Sequence, residues 1–226
     1  MPARRWKNIG TGLPAKLDAT YQDVLDAPAH LTAEILYGDL FLSPAPALPH
    51  GSLSARLAGL LSPRFEHWHG GRGEWHFVIT PELKLRPRRG PRLTQPHAMN
   101  PDLAGWRVER MPAVGQVASV SLAPDWVCEV ISKSTERIDR GRKLSAYGYA
   151  GVPHLWFIDQ RRRTLELYTQ DAKLAQLVLH EVYTGDLRAR IAPFGELVFD
   201  LRRLWSHMPP PTLVANEGTA EYLTAP

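Results

Sequence analysis

A glutamate stands inside an apolar run where its charge must be compensated. Glu129 lies within Trp126-Val127-Cys128-Glu129-Val130-Ile131, an otherwise apolar stretch typical of strands that are covered on both faces. Burying an unpaired carboxylate costs on the order of several kcal/mol. A cation, a basic partner or an exposed strand end must therefore offset the charge of Glu129, and a structural ion pair stays open beside a metal site.

Asp102 supplies a second carboxylate in a similar setting. It follows Pro101 in the short apolar stretch Pro101–Trp106, and proline suits the start of a strand because it donates no ladder hydrogen bond. If this strand neighbours that of Glu129, both carboxylates converge on one hard cation such as Mg²⁺, which takes oxygen ligands. Alone, Asp102 is more typical of a strand-edge acid, so the pair carries the prediction of a divalent-metal site.

Lys143 is the candidate positive group beside these acids. It falls on the helix predicted directly after the Glu129 strand, and Tyr147 follows four residues later on the same face. A divalent metal polarises a phosphoryl oxygen and lowers the pKa of a water, while an ammonium orients the water or stabilises developing charge. The set has the components of phosphodiester hydrolysis, and the alternative for Lys143 is a solvated helix lysine.

Arginines cluster in one loop further from these residues. The cluster consists of Arg86, Arg88, Arg89 and Arg92. Such side chains contact nucleic-acid phosphates, although an arginine- and proline-rich loop is also typical of a solvated surface.

Two other patterns are weaker still. His67 and His69 would not face each other on a helix, which favours surface residues over a metal pair. Gly70–Gly73 lacks the Gly-Lys-Ser/Thr of a phosphate loop, so we expect no nucleotide cofactor.

The elements that must position these residues indicate an α/β fold, in the sense of a mixed α+β sheet. We predict a short helix at 21–25, a hairpin of 32–37 and 39–42 around Gly38, a helix over 53–61, strands at 75–79, 82–85, 101–106 and 126–131, a helix over 139–150, a hairpin of 154–158 and 164–168, and strands at 177–182 and 197–199. Pro63 is expected to end or kink the leucine-rich helix near Leu61, and Gly151 to end the later one.

The chain divides into three parts by composition. Residues 1–20 are polar and predict an N-terminal arm, 21–206 a single domain, and 207–226 a disordered C-terminal tail. Residues 107–120 are mixed in character and predict no element.

A series of short motifs resembles one known group of proteins. The motifs are Glu34-Ile35-Leu36-Tyr37-Gly38-Asp39-Leu40, Pro49-His50, Pro81-Glu82-Leu83-Lys84-Leu85, Pro101-Asp102, Glu129–Thr135, Lys143–Tyr147 and Gly151–Asp159. In order and spacing over roughly 20–206 they resemble the PD-(D/E)XK nuclease superfamily and, more narrowly, the bacterial "putative restriction endonuclease" family of the Uma type.

The resemblance implies a fold and a set of roles. It implies a restriction-endonuclease-like core, a central mixed sheet flanked by helices, with Mg²⁺ or Mn²⁺ held by Asp102 and Glu129. It also implies Glu82 as a further catalytic acid. Three residues would be outer members of the site: Glu34, Tyr147 and the helix-start histidine His50.

One departure from the superfamily pattern matters for activity. The pattern places a lysine two residues after the glutamate, where this chain has Ile131. Lys143 would then supply the ammonium from the helix, with Lys133 as a rival in the polar run after the strand. If the Lys143 ammonium lies within about 4 to 6 Å of the carboxylates, a nuclease is favoured. If it points into solvent, a non-catalytic nucleic-acid-binding or interaction protein with a vestigial metal site gains support.

Bulk properties agree with a DNA-cleaving protein without requiring one. The net charge is +4 and the pI about 9.3, which is compatible with DNA as partner. A single cysteine excludes an intramolecular disulfide framework, and we expect a cytoplasmic protein with no membrane partner. The sequence leaves open DNA versus RNA, site specificity, nicking versus double-strand cutting, and oligomeric state, for which nucleases of this fold often adopt a homodimer.

Overall fold

The computed structural model describes residues 6–66, 73–111 and 117–205, where helices and strands alternate along the chain. In chain order the elements are α1 (Tyr21–Leu25), β1 (Leu31–Leu36), β2 (Asp39–Pro44), α2 (Leu48–Phe65), β3 (Trp75–Ile79), β4 (Leu83–Leu85), β5 (His97–Met99), β6 (Leu103–Arg107), β7 (Trp126–Val130), α3 (Glu136–Ile138), a π-helical turn (Asp139–Lys143), α4 (Leu144–Ala150), β8 (His154–Asp159), β9 (Thr164–Asp171), β10 (Gln176–Thr184), β11 (Arg188–Arg190), β12 (Val198–Asp200) and α5 (Arg202–Trp205).

The larger sheet has six strands in the order β10-β9-β8-β7-β6-β3. Its neighbours pair antiparallel except β7 and β8, which are parallel because the chain crosses between them through α3 and α4. Every residue of β7 is buried, as the continuous apolar run predicted. The strand that carries Glu129 therefore lies at the centre of a mixed sheet flanked by helices, and the predicted fold class is confirmed.

A smaller sheet orders its strands β2-β1-β5-β4. Its β1–β2 hairpin turns through Tyr37 and Gly38, which have φ of 56° and 86°, the positive values that a two-residue hairpin turn requires. The N-terminal segment lies along β2, since the amides of Gly10 and Ala15 donate to Leu42 and Leu40 at 2.8 Å. The predicted arm is thus hydrogen-bonded to the domain from at least Gly10 onward.

The two faces of the larger sheet are covered by different elements. On one face Cys128 packs in a core cluster with residues of α2 and α5. On the other face Val127 packs with residues of α4 and the smaller sheet. Because side chains alternate along a strand, Glu129 faces the same side as Val127. Glu129 is therefore directed towards α4 and the smaller sheet.

The predicted end of the leucine-rich helix was wrong. The helix α2 begins at Leu48, with proline in its first turn, and continues through Pro63 to Phe65. Leu57, Leu61 and Phe65 are all buried on one face. Packing of this face holds the last turn, and a proline near a helix end sacrifices only one backbone hydrogen bond.

Two further boundaries differ from the prediction at positions that concern the site. Strand β6 starts at Leu103, so Asp102 precedes the strand, and its carbonyl accepts a hydrogen bond from the Thr80 amide at 3.0 Å. The helix predicted over 139–150 is instead α3, the π-helical turn and α4. The three-residue strands β5 and β11 were not predicted, because so short a strand shows no alternation of apolar residues.

Some predictions concern residues outside the described ranges. These are the histidines His67 and His69, most of the glycine-rich stretch 70–73, and the tail 207–226. Among residues 6–66, 73–111 and 117–205, no helix has the length and apolar character to cross a bilayer.

Candidate active site

Lys143 and Tyr147 converge on the carboxylate of Glu129. The Lys143 Nζ lies 2.6 Å from Glu129 Oε1, and the Tyr147 hydroxyl donates a hydrogen bond to the same oxygen at 2.6 Å. Lys143 closes the π-helical turn and Tyr147 follows one turn later in α4, so both side chains leave the segment on the side that faces β7. The buried charge of Glu129 is thus compensated by a buried ammonium.

Glu34 brings the smaller sheet into the same group. Its Oε1 lies 3.1 Å from Lys143 Nζ and accepts a hydrogen bond from the Asn100 amide at 2.8 Å. Asn100 lies between β5 and β6, next to the segment that presents Asp102. Glu34 therefore links the two sheets at the point where the acids meet.

Asp139 is an acid of this group that the sequence analysis did not identify. Its Oδ1 lies 3.6 Å from Lys143 Nζ, four residues along the chain. Burial raises the pKa of Asp139 to about 6, an effect that Lys143 opposes. The spacing of an acid four residues before a lysine is the signal that would have identified it.

Asp102 lies in the connection that leads into β6, the strand that pairs with β7. Leu103 pairs with Cys128, which places Asp102 beside Glu129 at the end of the β6–β7 ladder. Asp102 Oδ2 accepts the amide of Val130 at 2.7 Å, and Oδ1 lies 2.5 Å from His50 Nε2. His50 sits in the first turns of α2, so this helix start contributes a ring at the acid.

All of these charged side chains line one cavity of about 610 Å³. Its titratable lining among the described residues consists of Glu34, Asp102, Glu129, Asp139, Lys143 and His50. Three of the four carboxylates contact the Lys143 ammonium, and small apolar residues of the segments 27–33 and 44–47 form much of the remaining wall.

The excess of acid changes the protonation of the group. Burial raises the pKa of Glu129 well above its usual range, and the neighbouring acids raise it further, against the effect of Lys143. Burial alone would lower the pKa of Lys143, but Glu129 and Glu34 outweigh it and the pKa lies well above its usual range. Lys143 is therefore a cation, and the raised pKa values of Glu129 and Asp139 reduce the negative charge that these acids carry around it.

An oxygen-rich, negatively charged donor set is the kind that hard divalent cations bind. Within the described part of the chain, no group of three or more His, Cys, Asp or Glu side chains has the geometry of an assembled metal centre. The two carboxylates of Asp102 and Glu129 nevertheless fit such a cation in chemistry and charge.

The structure does not bring Glu82 into this group. Its carboxylate accepts the Tyr21 hydroxyl at 2.8 and 3.0 Å and lies 3.4 Å from Lys84 Nζ. Glu82 precedes β4, at the far edge of the smaller sheet, and it does not line the cavity. The expectation that it joins Asp102 and Glu129 is corrected accordingly.

The predicted arginine loop also lies elsewhere. It connects β4 and β5 and packs at the end of α4, where the amides of Arg88 and Arg89 donate to the Tyr149 carbonyl at 2.7 and 3.4 Å. Neither these residues nor Arg86 and Arg92 line the acidic cavity. The rival lysine, Lys133, is exposed and does not line it either.

The mixed sheet with helices on its faces is a restriction-endonuclease-like fold. Residues 19–201 match the model of the Uma2 family, described as "Putative restriction endonuclease". The chain belongs to this family, which supports a nuclease-like role.

The similarity of this chain to a solved structure agrees with the assigned fold. The chain is similar to the crystal structure of a "putative nuclease belonging to DUF820" from Anabaena variabilis, with 17% sequence identity and a TM-score of 0.61. The match covers 83% of this chain and 98% of that one. At this identity the likeness shows a shared fold. Comparison with curated proteins gave no match.

Proposed function

We propose that this protein is a Mg²⁺- or Mn²⁺-dependent nuclease that hydrolyses phosphodiester bonds in DNA. The observation that carries the proposal is the Lys143 ammonium, 2.6 Å from the Glu129 carboxylate and buried beside it. The superfamily pattern places its lysine where this chain has Ile131. Lys143, on the helical segment after the strand, would supply that ammonium instead. Membership of the Uma2 family supports the same activity.

Four residues of the site have assigned roles in this proposal. Asp102 and Glu129 would hold the divalent ion, which when bound polarises a phosphoryl oxygen and lowers the pKa of a water. Lys143 stabilises the negative charge that develops on the phosphate during attack. Tyr147 fixes the orientation of the Glu129 carboxylate through its hydrogen bond.

His50 is placed to handle a proton at the edge of the site. Its Nε2 lies 2.5 Å from Asp102 Oδ1, and the ring lines the cavity. Were Asp102 to hold the ion, the ring nitrogen of His50 would be free to take a proton from water or to deliver one to the leaving oxygen. This role makes His50 a positioning residue for Asp102 at rest and a proton carrier during turnover.

A second candidate function follows from the contacts that the Asp102 carboxylate already makes within the protein. Both of its oxygens already have partners, Val130 and His50, and no arginine among the described residues lines the cavity. These observations favour a non-catalytic nucleic-acid-binding or interaction protein on the same fold, with a site that no longer takes the ion.

Cleavage assays separate the two functions. Supercoiled plasmid and single-stranded DNA are incubated with Mg²⁺ or Mn²⁺ and the wild type, Asp102→Asn, Glu129→Gln or Glu82→Gln. Because Asp102 and Glu129 would hold the ion, we expect each of these variants to lose at least about 100-fold in rate, and chelation by EDTA to abolish cutting. Glu82→Gln, an acid outside the cavity, is the matched control and should cut like the wild type.

Two results would count against catalysis. Cutting that survives both cavity substitutions equally points to a contaminating nuclease. DNA binding without cutting, together with no change in melting temperature on titration with Mn²⁺, supports the non-catalytic function, because an ion that binds only the native state must raise that temperature.

A further inference from the structure

A second cavity, of about 710 Å³, lies at the outer side of the helical segment that carries the site. Its walls come from four separate parts of the chain: residues 12–14, the hairpin residue Tyr37, Pro91 of the arginine loop, and the α3–α4 segment. Arg137 and Arg142 line it, and no aspartate or glutamate of residues 6–66, 73–111 or 117–205 does so. Its charge is therefore opposite to that of the acidic cavity.

The two cavities share one helical segment. Asp139 and Lys143 line the acidic cavity, while Arg142, Ser145 and Tyr149 line the second one. The π-helical turn (Asp139–Lys143) widens the helix where the adjacent residues Arg142 and Lys143 face different cavities. Sequence neighbours thus serve an acid-rich site on one side and a basic pocket on the other.

Two guanidinium groups in this pocket are weakly engaged by the protein. Arg142 Nη1 lies 3.6 Å from Asp39 Oδ2, and its guanidinium packs over the Phe41 ring at 5.0 Å. Within the described ranges, no hydrogen bond or ion pair holds the Arg137 side chain, whose stem packs closely against Gly12. Both groups therefore keep donors for an anion, the role in which arginine excels.

Hydroxyl and aromatic groups complete the pocket. The Tyr37 hydroxyl lies near Ser145 at the wall of the pocket, and burial raises its pKa to about 12, so it stays protonated. The Tyr149 ring packs so tightly under Gly90 that an added Cβ would lie 2.7 Å from it. This contact fixes the ring at the wall of the pocket, where an aromatic face suits a nucleobase.

We propose that this pocket binds the phosphate of a nucleoside phosphate, with Arg137 and Arg142 on the phosphate and the tyrosines beside the base. The source is either a nucleic-acid strand or a free nucleotide, since both present the same chemistry. The neighbouring arginine loop continues the positive charge from Pro91 outward, which suits an extended strand. The proposal is separate from cleavage, because it places no step at the acidic cavity.

Binding measured in EDTA tests this pocket independently of catalysis. A short 5′-fluorescein oligothymidylate is followed by anisotropy, and unlabelled dTMP and thymidine by calorimetry, for the wild type, Arg137→Gln and the double variant Arg137→Gln/Arg142→Gln. We expect the phosphate-bearing probes to bind the wild type, at least about 10-fold weaker binding by the double variant, and no detectable binding of thymidine. Arg188→Gln, an exposed arginine of β11, is the matched control and should bind like the wild type.

Each outcome decides the proposal. Binding of the oligonucleotide but not dTMP identifies a strand as the ligand, and the reverse identifies a free nucleotide. Equal binding of thymidine and dTMP, or unchanged binding by the double variant, overturns the proposal. If the Arg142 substitution unfolds the chain, as melting would show, Arg137→Gln alone decides, because its exposed guanidinium has no structural partner to lose.

Discussion

At the residue scale, Lys143 is the ammonium that neutralises the three buried carboxylates of Glu34, Glu129 and Asp139. Replacing it with glutamine leaves Glu34, Glu129 and Asp139 buried around a neutral amide. We expect Lys143→Gln to lower the free energy of unfolding by about 3 kcal/mol at neutral pH, the range typical when one member of a buried ion pair is removed. Urea unfolding followed by tryptophan fluorescence measures the loss.

The loss of stability caused by Lys143→Gln should depend on pH. Burial raises the pKa of Glu129 and of Asp139, so lowering the pH towards 5 protonates these acids and relieves their repulsion. The destabilisation by Lys143→Gln should therefore be smaller at pH 5 than at pH 8. Lys133→Gln, an exposed lysine of the same connection, should change stability by less than about 0.5 kcal/mol. A similar loss in both variants would contradict the dependence on Lys143.

A second titration belongs to His97, which is buried in β5. Its Nδ1 accepts the Tyr37 amide at 3.2 Å, and burial lowers its pKa from 6.5 to about 4. Below pH 6.5 the imidazole of His97 takes up a proton in the unfolded chain, whereas in the folded chain it stays neutral until the pH nears 4. The free energy of unfolding should therefore fall by about 3 kcal/mol between pH 6.5 and 4 on account of this group.

Chemical denaturation across that pH range checks the contribution of His97. His97→Gln removes the titrating ring, so its stability should fall less steeply with acid than that of the wild type. The exposed His180 provides the control, since His180→Gln should keep the wild-type slope. Parallel pH curves for the wild type and His97→Gln would show that His97 takes up its proton in the folded state as well.

What the sequence could predict at this scale depended on how strongly a residue conflicted with its surroundings. Glu129 stood in an apolar strand and therefore demanded a partner, and helical spacing predicted that Lys143 and Tyr147 share one face. Glu82 fits an ordinary strand end equally well, and only the structure shows that its carboxylate contacts Tyr21 and Lys84 and not the acids of the cavity. Asp139 escaped notice because an acid at a helix start has ordinary explanations of its own.

At the element scale, the helix α4 approaches the larger sheet through a glycine. An added Cβ at Gly148 would lie 3.0 Å from the Leu177 amide nitrogen and 3.2 Å from Gln176 Cα, both backbone atoms of β10. Backbone cannot move aside as a flexible side chain can. We expect Gly148→Ala to destabilise the protein by about 1 to 3 kcal/mol and, by shifting α4, to reduce any nuclease activity.

Gly141 offers a matched control within the same helical segment. An added Cβ there meets nothing within 4 Å, and alanine is the better helix former by roughly 0.5 to 1 kcal/mol. Gly141→Ala should therefore leave the melting temperature unchanged or raise it, while Gly148→Ala lowers it. Equal melting temperatures for the two variants would refute the close packing of α4 on β10.

Element boundaries were predictable where periodicity was strong and not where packing decided them. The central strand and the β1–β2 hairpin followed from apolar runs and a glycine turn. The π-helical turn did not, because its wider hydrogen-bond spacing leaves no sequence signal and is held by the buried contacts of Asp139 and Lys143. The extension of α2 past Pro63 was likewise set by the burial of Phe65.

At the scale of the whole molecule, the depth of the acidic cavity limits what can react there. Asp102 is 8% exposed and Glu129 and Lys143 are 3% exposed, inside a cavity of about 610 Å³. Side chains as buried as these are reached more readily by an unpaired nucleotide than by the backbone of a paired duplex. We expect single-stranded DNA to be cut at least about 10-fold faster than a blunt duplex of the same sequence, because the duplex must first unstack.

Matched oligonucleotides measure this preference directly. A duplex with a mismatched or unpaired centre should fall between the single strand and the perfect duplex and should be cut at the unpaired nucleotides. Equal rates on all three substrates would mean that the cavity opens in solution to admit a helix.

Cys128 lies in β7 between the two covered faces of the sheet, wholly buried, and burial raises the pKa of its thiol well above its usual range. It is the only cysteine of the chain. Maleimide reagents attack thiolates, so the native protein should remain unlabelled while folded. A cysteine engineered at the exposed position of Lys133, between the cavity-lining residues Ser132 and Ser134, would then carry a single fluorophore. Its emission would report the entry of a strand in real time, and no native residue of the core would be replaced.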